Sequence, residues 1–102
     1  MTASINTGDR VVVRSRDAGV FFGTLVSKDG DEVTLAEVRR LWYWSGAASL
    51  SELSQSGVAS PDQCKFPMPV PVMAIMGVCE IIPASDAAAA SLDAVPVWAA
   101  HS

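Results

Sequence analysis

Hydrophobic and polar residues alternate through the first third of the chain with the period of two that β-strands show. RVVVRSR at residues 10–16 alternates in this way. The runs VFFGTLVS at 20–27 and EVTLAEV at 32–38 are β-branched and aromatic, and the KDGD between them contains the Asp-Gly pair typical of a hairpin turn. These patterns predict three consecutive strands of an antiparallel meander.

A different pattern follows the third run. RRLWYW at residues 39–44 is predicted to continue as a fourth strand, and SGAASLSELSQSGV then carries the signals of a short helix. Ser49 is the candidate N-cap, Glu52 completes a capping box, and Gly57 is placed to end the helix. Four prolines within residues 61–71 predict an extended connector or a sheet edge, because proline cannot donate to a strand ladder.

The last third returns to apolar residues. VMAIMGVCEII at 72–82 is apolar on both faces and predicts one buried strand, whose second face another subunit could cover. Ser85 is the candidate N-cap of a second helix, DAAAASLDAV, and VPVW at 95–98 predicts a terminal extended piece anchored by Trp98. We therefore expect an α+β fold: a small antiparallel sheet, a meander or barrel-like, with two short helices.

Length and composition predict a single domain that forms a homo-oligomer. The 102 residues support a single domain, 1–102, in which we expect residues 1–8 to be flexible. Half of the residues are hydrophobic, 18% are charged, and the mean hydropathy is +0.31. This is more apolar surface than a small monomer easily buries, so we expect a homo-oligomer.

The longest apolar run, 70–78, is interrupted by Pro71 and Gly77 and is shorter than the roughly 20 residues that span a bilayer. The first residues, MTASINTGDR, lack the charged leader and apolar stretch of an export signal. We therefore expect a cytoplasmic protein that does not bind a membrane.

Residues able to carry catalysis are scarce. Cys64 and Cys79 lack the spacing of a zinc or redox site, and the one histidine, His101, is next to last in the chain. The glycine-rich and histidine-containing motifs of common hydrolases and nucleotide-using enzymes do not occur, and Asp29, Asp31 and Glu32 fall in a predicted exposed turn. We expect no enzyme activity, no metal and no cofactor.

The charges favour a small anionic ligand over a polymer. Because the net charge is −4, binding of nucleic-acid polymers through a broad basic surface is not expected. Five of the seven cationic residues are arginines, whose planar fork suits phosphates and whose flat face stacks on bases. They are Arg10, Arg14, Arg16, Arg39 and Arg40.

Two interpretations of the aromatic segment 39–44 remain open: a core strand or part of an anion-binding site. In strand geometry Arg40, Trp42 and Trp44 share one face. The tryptophans could simply be core, or Arg40 could begin a row that meets an anion, since an arginine heading into an apolar interior is costly otherwise.

The small residues that follow, from Gly46 through Ala47 to Ser49, lead into a helix N-terminus whose free amides attract phosphates, although the capping box already uses some of them. In CKFP, Lys65 stands beside Phe66 in the proline-rich connector. Phe66 could stack on a base there, or it could plug the core beneath a loop.

Four segments together resemble a known family of phage proteins. They are DAGVFFGTL at 17–25, AEVRRLWYWSGAASLSELSQSGV at 36–58, CKFP at 64–67, and the ending EII...SLDAVPVW. The chain resembles the Thoeris anti-defence one family of signal sponges, over about residues 10–98.

This resemblance implies a protein that counters bacterial immunity in the cytoplasm of the infected host. Such a protein sequesters, without degrading it, the cyclic ADP-ribose isomer made by TIR-domain enzymes, and some members also hold cyclic oligonucleotide signals of the CBASS system. The family further implies dimers that assemble into hexamers, with ligand sites at subunit interfaces.

Carried onto this chain, the resemblance implies Arg39 or Arg40 as phosphate contacts and Phe66 as a base clamp, with the small residues near the phosphates. The remaining candidates are Lys65 and Trp44 and, for a second site, Arg14 and Arg16. Relatives carry more polar residues where this chain has Met73, Met76 and Ala87 to Ala90. The competing hypotheses are an oligomeric phage structural or assembly protein and an enzyme acting on the same nucleotide.

Overall fold

The computed structural model of the chain describes residues 4–99. It contains one five-stranded antiparallel sheet and two α-helices, which confirms the predicted α+β class. The strands are β1 (Arg10–Ser15), β2 (Gly19–Asp29), β3 (Glu32–Arg40), β4 (Val70–Ile75) and β5 (Val78–Pro83). The helices are α1 (Leu50–Ser56) and α2 (Asp86–Asp93), and a single 3₁₀ turn spans Pro61–Gln63.

Residues 1–3 of the expected flexible start, and His101, lie outside the described residues. Within the rest of that start, the N–H of Gly8 donates to the carbonyl of Leu25 at 2.8 Å. None of the helices found in residues 4–99 is long and apolar enough to cross a membrane.

The sheet curls so that its two edges approach each other. The strand order is β4-β3-β2-β1-β5, so β4 and β5 are opposite edge strands, yet only Met76 and Gly77 separate them in the chain. A two-residue connection cannot cross a flat five-stranded sheet, because neighbouring strands lie about 4.8 Å apart. The carbonyls of Met76 and Gly77 accept hydrogen bonds from Ser15 Oγ at 2.7 Å and the Arg16 N–H at 3.1 Å.

The prediction of one buried strand over residues 72–82 is therefore wrong. Gly77 has φ +69°, a left-handed conformation that ends the ladder and redirects the chain. The two strands are also less buried than expected, since Val72 is 64% exposed. Apolar composition alone could not distinguish one continuous strand from two edge strands joined at a glycine.

The predicted fourth strand over residues 39–44 is also wrong. Strand β3 continues only to Arg40, because Leu41 turns into the core, where it is 2% exposed and donates its N–H to the carbonyl of Val20 at 2.8 Å. Beyond β3, Tyr43 keeps a single antiparallel bridge to Lys65. Arg40 and the tryptophans therefore do not form a row on one strand face.

Two hydrophobic cores lie on the two faces of the sheet. The first packs strand residues against one another as the sheet curls, and contains Val11, Val13, Phe21, Leu25, Val33, Leu35, Val38 and Ile75. The second lies beneath the helices and is called here the helix-side core; it contains Val12, Phe22, Leu41, Leu53, Val58, Cys64, Phe66, Ala89, Leu92 and Val95. Alternation along β1 and β2 places neighbouring residues in different cores.

Both helices begin at the predicted caps and α1 ends at the predicted glycine, whereas α2 ends at Asp93, two residues before the predicted end at Val95. Ser49 Oγ accepts the Glu52 N–H at 3.1 Å, and the Glu52 carboxylate accepts the Ala48 N–H at 2.8 Å. Gly57 follows α1 with φ +77°, and Ser85 caps α2 by accepting the Ala88 N–H at 3.0 Å. These predictions hold because capping depends on local spacing and not on tertiary contacts.

Phe66 is fully buried in the helix-side core. An extended C-terminal segment covers it: Val97 forms a parallel bridge with Phe66, and the Trp98 N–H donates to the Phe66 carbonyl at 2.9 Å. This confirms the predicted terminal extended piece. It also makes the expected base clamp at Phe66 wrong for this structure, because a ring with no exposed surface cannot stack on a base; Phe66 plugs the core beneath the connector.

We predict that Phe66→Ala lowers the free energy of unfolding by about 3 to 5 kcal/mol, because truncating a buried phenylalanine loses its burial and leaves a cavity. Met68→Ala is the matched control: Met68 is two residues away and 75% exposed, so its truncation should change stability by less than about 0.5 kcal/mol. Urea denaturation followed by tryptophan fluorescence measures both. Equal small losses would contradict the assignment of Phe66 to the core.

We also predict that Gly46→Ala destabilises the protein by about 2 to 4 kcal/mol. Gly46 has φ +94°, and a Cβ placed there would lie 2.5 Å from the backbone nitrogen of Ala59. Gly30→Ala is the control, because Gly30 also has positive φ (+61°) but open space around it, so only about 1 to 2 kcal/mol of backbone strain is expected. The same denaturation experiment compares them, and a similar cost at both glycines would refute the close approach at Gly46.

Candidate ligand-binding site

Three aromatic rings and one lysine form an exposed group, called here the aromatic cluster: Trp42, Tyr43, Lys65 and Trp98. The exposed fractions are 61% for Trp42, 52% for Tyr43 and 36% for Trp98. Large aromatic side chains usually contribute to a core, so three of them around one cation at the surface indicate a binding surface.

The cluster is positioned by two buried neighbours. Leu41 and Phe66 enter the helix-side core, so the adjoining Trp42 and Lys65 are left at the surface. Tyr43 and Lys65 exchange backbone hydrogen bonds of 3.3 and 2.7 Å. This bridge fixes the segment that contains Trp42 and Tyr43 relative to the segment that contains Lys65.

Trp98 joins the cluster from the end of the described chain. Its N–H donates to the Phe66 carbonyl, and its ring centroid lies 4.9 Å from that of Trp42 at an interplanar angle of 45°. The tilted contact leaves much of the Trp42 ring uncovered, as its exposure shows.

Lys65 supplies the positive charge of the cluster. Its Nζ lies 5.9 Å from the ring centroid of Trp42, 6.0 Å from that of Tyr43 and 5.6 Å from that of Trp98. A cavity of about 270 Å³ is lined by Trp42, Tyr43 and Lys65. Exposed indole rings stack on flat bases, worth roughly 1 to 3 kcal/mol per base, and an ammonium group pairs with phosphate.

The small residues expected near a phosphate instead serve packing. Gly46 lies against the backbone of Ala59 and Ser60, and Ala47 and Trp44 are partly buried against the helix-side core. The start of α1 offers no anion site. Ser49 and the Glu52 carboxylate already accept N–H groups there, and that carboxylate repels a phosphate.

The adjacent arginines Arg39 and Arg40 point away from each other, as neighbours on a strand do. Arg40 is exposed, donates from Nη1 to the carbonyl of Ala18 at 3.0 Å, and lies 4.7 Å from the ring centroid of Phe21. It lines a cavity of about 400 Å³ together with Asp17 and Met73. The structure therefore does not bring Arg40 to the aromatic cluster.

Arg39 is only 7% exposed and lies under the C-terminal segment. Its Nη1 donates to the carbonyls of Leu92 at 3.0 Å and Val95 at 2.6 Å, and the guanidinium lies 5.2 Å from the ring centroid of Phe66. Burial lowers the pKa of Arg39, and the negative charge of Asp93 acts in the opposite direction. An arginine this basic stays protonated at neutral pH.

Arg14 and Arg16 lie elsewhere. Arg14 forms an exposed ion pair with Glu80 at 2.9 Å, and its hydrogen bond to that carboxylate is the main cause of its raised pKa. Arg16 follows β1 in a turn and is exposed. Of the ten predicted site residues, only Lys65 belongs to the aromatic cluster.

Sequence reasoning missed Trp42, Tyr43 and Trp98 as site residues. The predicted fourth strand over residues 39–44 places Trp42 and Trp44 on one face by strand alternation, and that strand does not form. The informative signal for Trp42 is its place directly after Leu41, because the neighbour of a core residue in an extended segment faces outward.

Within residues 4–99, no three acidic, cysteine or histidine side chains are arranged to hold a metal ion. The absence of a metal or cofactor in this protein stays a prediction. Cys64 is a buried free thiol and Cys79 an exposed one.

Comparison with known proteins gives a family without an assigned role. No curated protein and no solved structure matches the chain. Residues 8–92 match the model of a family described as a domain of unknown function, DUF6948. Since the match covers more than half of the 102 residues, the chain belongs to the DUF6948 family.

Proposed function

We propose that this protein binds a cyclic nucleotide immune signal and sequesters it intact. The ligand would be a cyclic ADP-ribose isomer or a cyclic oligonucleotide of the CBASS system, and the protein would act as a phage anti-defence factor in the cytoplasm of the infected bacterium. The observation that carries the proposal is the aromatic cluster, in which Lys65 stands among three exposed rings.

The chemistry of the cluster suits such a ligand. A cyclic nucleotide combines a flat purine with a negatively charged phosphate, and the cluster offers the Trp42 ring next to the Lys65 ammonium. Its four members include no carboxylate, thiol or imidazole. Imidazole, carboxylate and thiol groups carry most proton transfer and nucleophilic attack in enzymes, and Tyr43 and Lys65 are the only titratable members of the cluster, which supports binding over turnover.

The surface also supports self-association, which the sponge proposal includes as a dimer assembling into a hexamer. Met68, Val72 and Met76 are 75%, 64% and 62% exposed on or beside edge strand β4. An unpaired strand edge with exposed apolar residues is a surface on which a second chain can pair. The same observation favours the second candidate function, an oligomeric structural or assembly protein of a phage.

Recovery of intact ligand tests the proposed function. Purified protein is mixed with the cyclic ADP-ribose isomer, unbound ligand is removed, and the protein is denatured by heat. We expect the intact signal in the supernatant, in near-stoichiometric amount, by mass spectrometry. Absence of the intact signal from the supernatant of the denatured protein would refute sequestration. A new product in its place would indicate an enzyme.

A parallel measurement separates the second candidate. Native mass spectrometry and co-purification with phage particles are compared on the same preparation. Protein that enters particles and carries no nucleotide supports a structural role, whereas free oligomers that retain ligand support sequestration.

We predict that Trp42→Ala weakens ligand binding by about 5- to 150-fold, the equivalent of losing one stacked base. Lys65→Ala should also weaken it, and should make the remaining affinity less dependent on salt, because a screened charge contact is lost. The chain's other lysine provides the matched control: Lys28 lies on the β2–β3 hairpin, where its Nζ donates to the Gly30 carbonyl. Lys28→Ala should leave affinity unchanged.

Isothermal titration calorimetry at two salt concentrations measures all three variants, with circular dichroism to confirm folding. Wild-type affinity in both Trp42→Ala and Lys65→Ala would place the ligand away from the aromatic cluster.

A further inference from the structure

A second cavity, called here the arginine cavity, lies between β1, β3 and the end of α2. It measures about 260 Å³ and is lined by two arginines, Arg10 and Arg39, by the carboxylates of Glu37 and Asp93, and by Val97. Val97 is 53% exposed and forms part of its outer rim.

Arg39 enters this cavity with donors that no acceptor satisfies. Only its Nη1 is hydrogen-bonded, to the carbonyls of Leu92 and Val95. Its Nε and Nη2 are buried without a partner, and so is the Nε of Arg10. Leaving a charged donor buried and unpaired is costly, so such groups in folded proteins usually have a partner. Three of them around one cavity indicate a missing acceptor.

The neighbouring carboxylates do not fill this role. Both oxygens of Asp93 are held by Arg10, at 2.7 and 3.1 Å, in a two-bond ion pair. Glu37 is exposed on the rim, at a bulge where it and Val38 oppose Gly23 and where its own φ is +51°. Arg39 therefore lacks a carboxylate partner among the described residues.

We propose that the arginine cavity binds a singly charged anion with two adjacent oxygens, a phosphodiester or a carboxylate, held by the Nε and Nη2 of Arg39. These two nitrogens form the parallel fork that arginine offers to such groups. A single charge is preferred because Asp93 and Glu37 repel a second one. The site rests on the geometry of this cavity and does not depend on the proposed function.

Entry to the site involves the C-terminal segment. The Nε and Nη2 atoms are covered by protein, so the anion reaches them only when the cavity opens locally; Val97 lines the cavity and is 53% exposed, whereas Val95 stays in the helix-side core. In this structure Val95 holds the Arg39 Nη1 through its carbonyl, and Trp98 holds the segment to Phe66. Residues 96–98 are held by the Val97 bridge and the Trp98 N–H, and a short, partly exposed segment of this kind opens locally at a lower cost than global unfolding.

The test uses the full-length protein labelled with ¹⁵N, titrated separately with dimethyl phosphate and with acetate. Trimethyl phosphate, which has nearly the same shape as dimethyl phosphate but no charge, is the control. We expect a saturable shift of the Arg39 Nε–H signal with at least one of the two anions and none with trimethyl phosphate. The tighter of the two anions identifies the group that the cavity takes.

Variants sharpen the test. Arg39→Lys keeps the charge but removes the fork, so the anion should bind at least about tenfold more weakly. Asp93→Asn removes a repelling charge and should tighten binding several-fold. Glu80→Gln is its matched control, since Glu80 belongs to the exposed ion pair with Arg14 outside the cavity, and it should change nothing.

The outcomes are decisive even if Arg39→Lys fails to fold. Equal shifts with dimethyl and trimethyl phosphate, no shift with either anion, or unchanged affinity in Asp93→Asn would overturn the proposal. Anion binding at Arg39 in a protein that recovers no cyclic nucleotide would refute the proposed function alone. Nucleotide sequestration without a response at Arg39 would refute the anion site alone.

Discussion

The burial of Leu41 and Phe66 in the helix-side core determines how the aromatic cluster is built. Leu41, whose N–H still donates to the Val20 carbonyl of β2, buries its side chain in this core, and Phe66 holds the proline-rich connector onto the same core. The Tyr43–Lys65 bridge joins these two segments directly above. Each buried residue leaves its neighbour outside, so the exposed positions of Trp42 and Lys65 follow from packing beneath them.

The local parts of the fold could be predicted from the sequence, because their signals are local. The hairpin between β2 and β3 turns at Gly30 and Asp31, one residue after the Asp-Gly pair begins, and the caps Ser49 and Ser85 set the helix starts. The errors at residues 39–44 and 72–82 both concern where a strand ends. Those ends depend on the partner strand and on Gly77, and alternation in one segment carries no information about its partner.

The candidate site was harder to predict for the same reason. The sequence predicts Lys65 as a site residue from its place beside Phe66. It does lie among rings, but they are those of Trp42, Tyr43 and Trp98, which come from two distant segments. Phe66 was the residue expected to stack, and the C-terminal segment covers it. Contacts between residues this far apart in sequence depend on the tertiary fold, and local sequence patterns do not predict them.

The cations of this acidic chain illustrate how little of its positive charge is available to a ligand. Arg10 and Arg14 are paired with Asp93 and Glu80, and Arg40 donates to a backbone carbonyl. A ligand that approaches the described surface therefore meets few uncommitted cationic donors. Among residues 4–99 the exceptions are Lys65 among the rings, the exposed Arg16, and the two buried, unpaired nitrogens of Arg39.

The extended segment 95–98 links the arginine cavity and the aromatic cluster. Val97 lines the arginine cavity, while the next residue, Trp98, packs on Trp42 in the aromatic cluster. Successive residues of an extended chain face opposite sides, so one short segment forms a wall of both sites. A shift of this segment that admits an anion to Arg39 must also move Trp98 against Trp42. The arginine cavity and the aromatic cluster therefore share one short piece of backbone, at Val97 and Trp98.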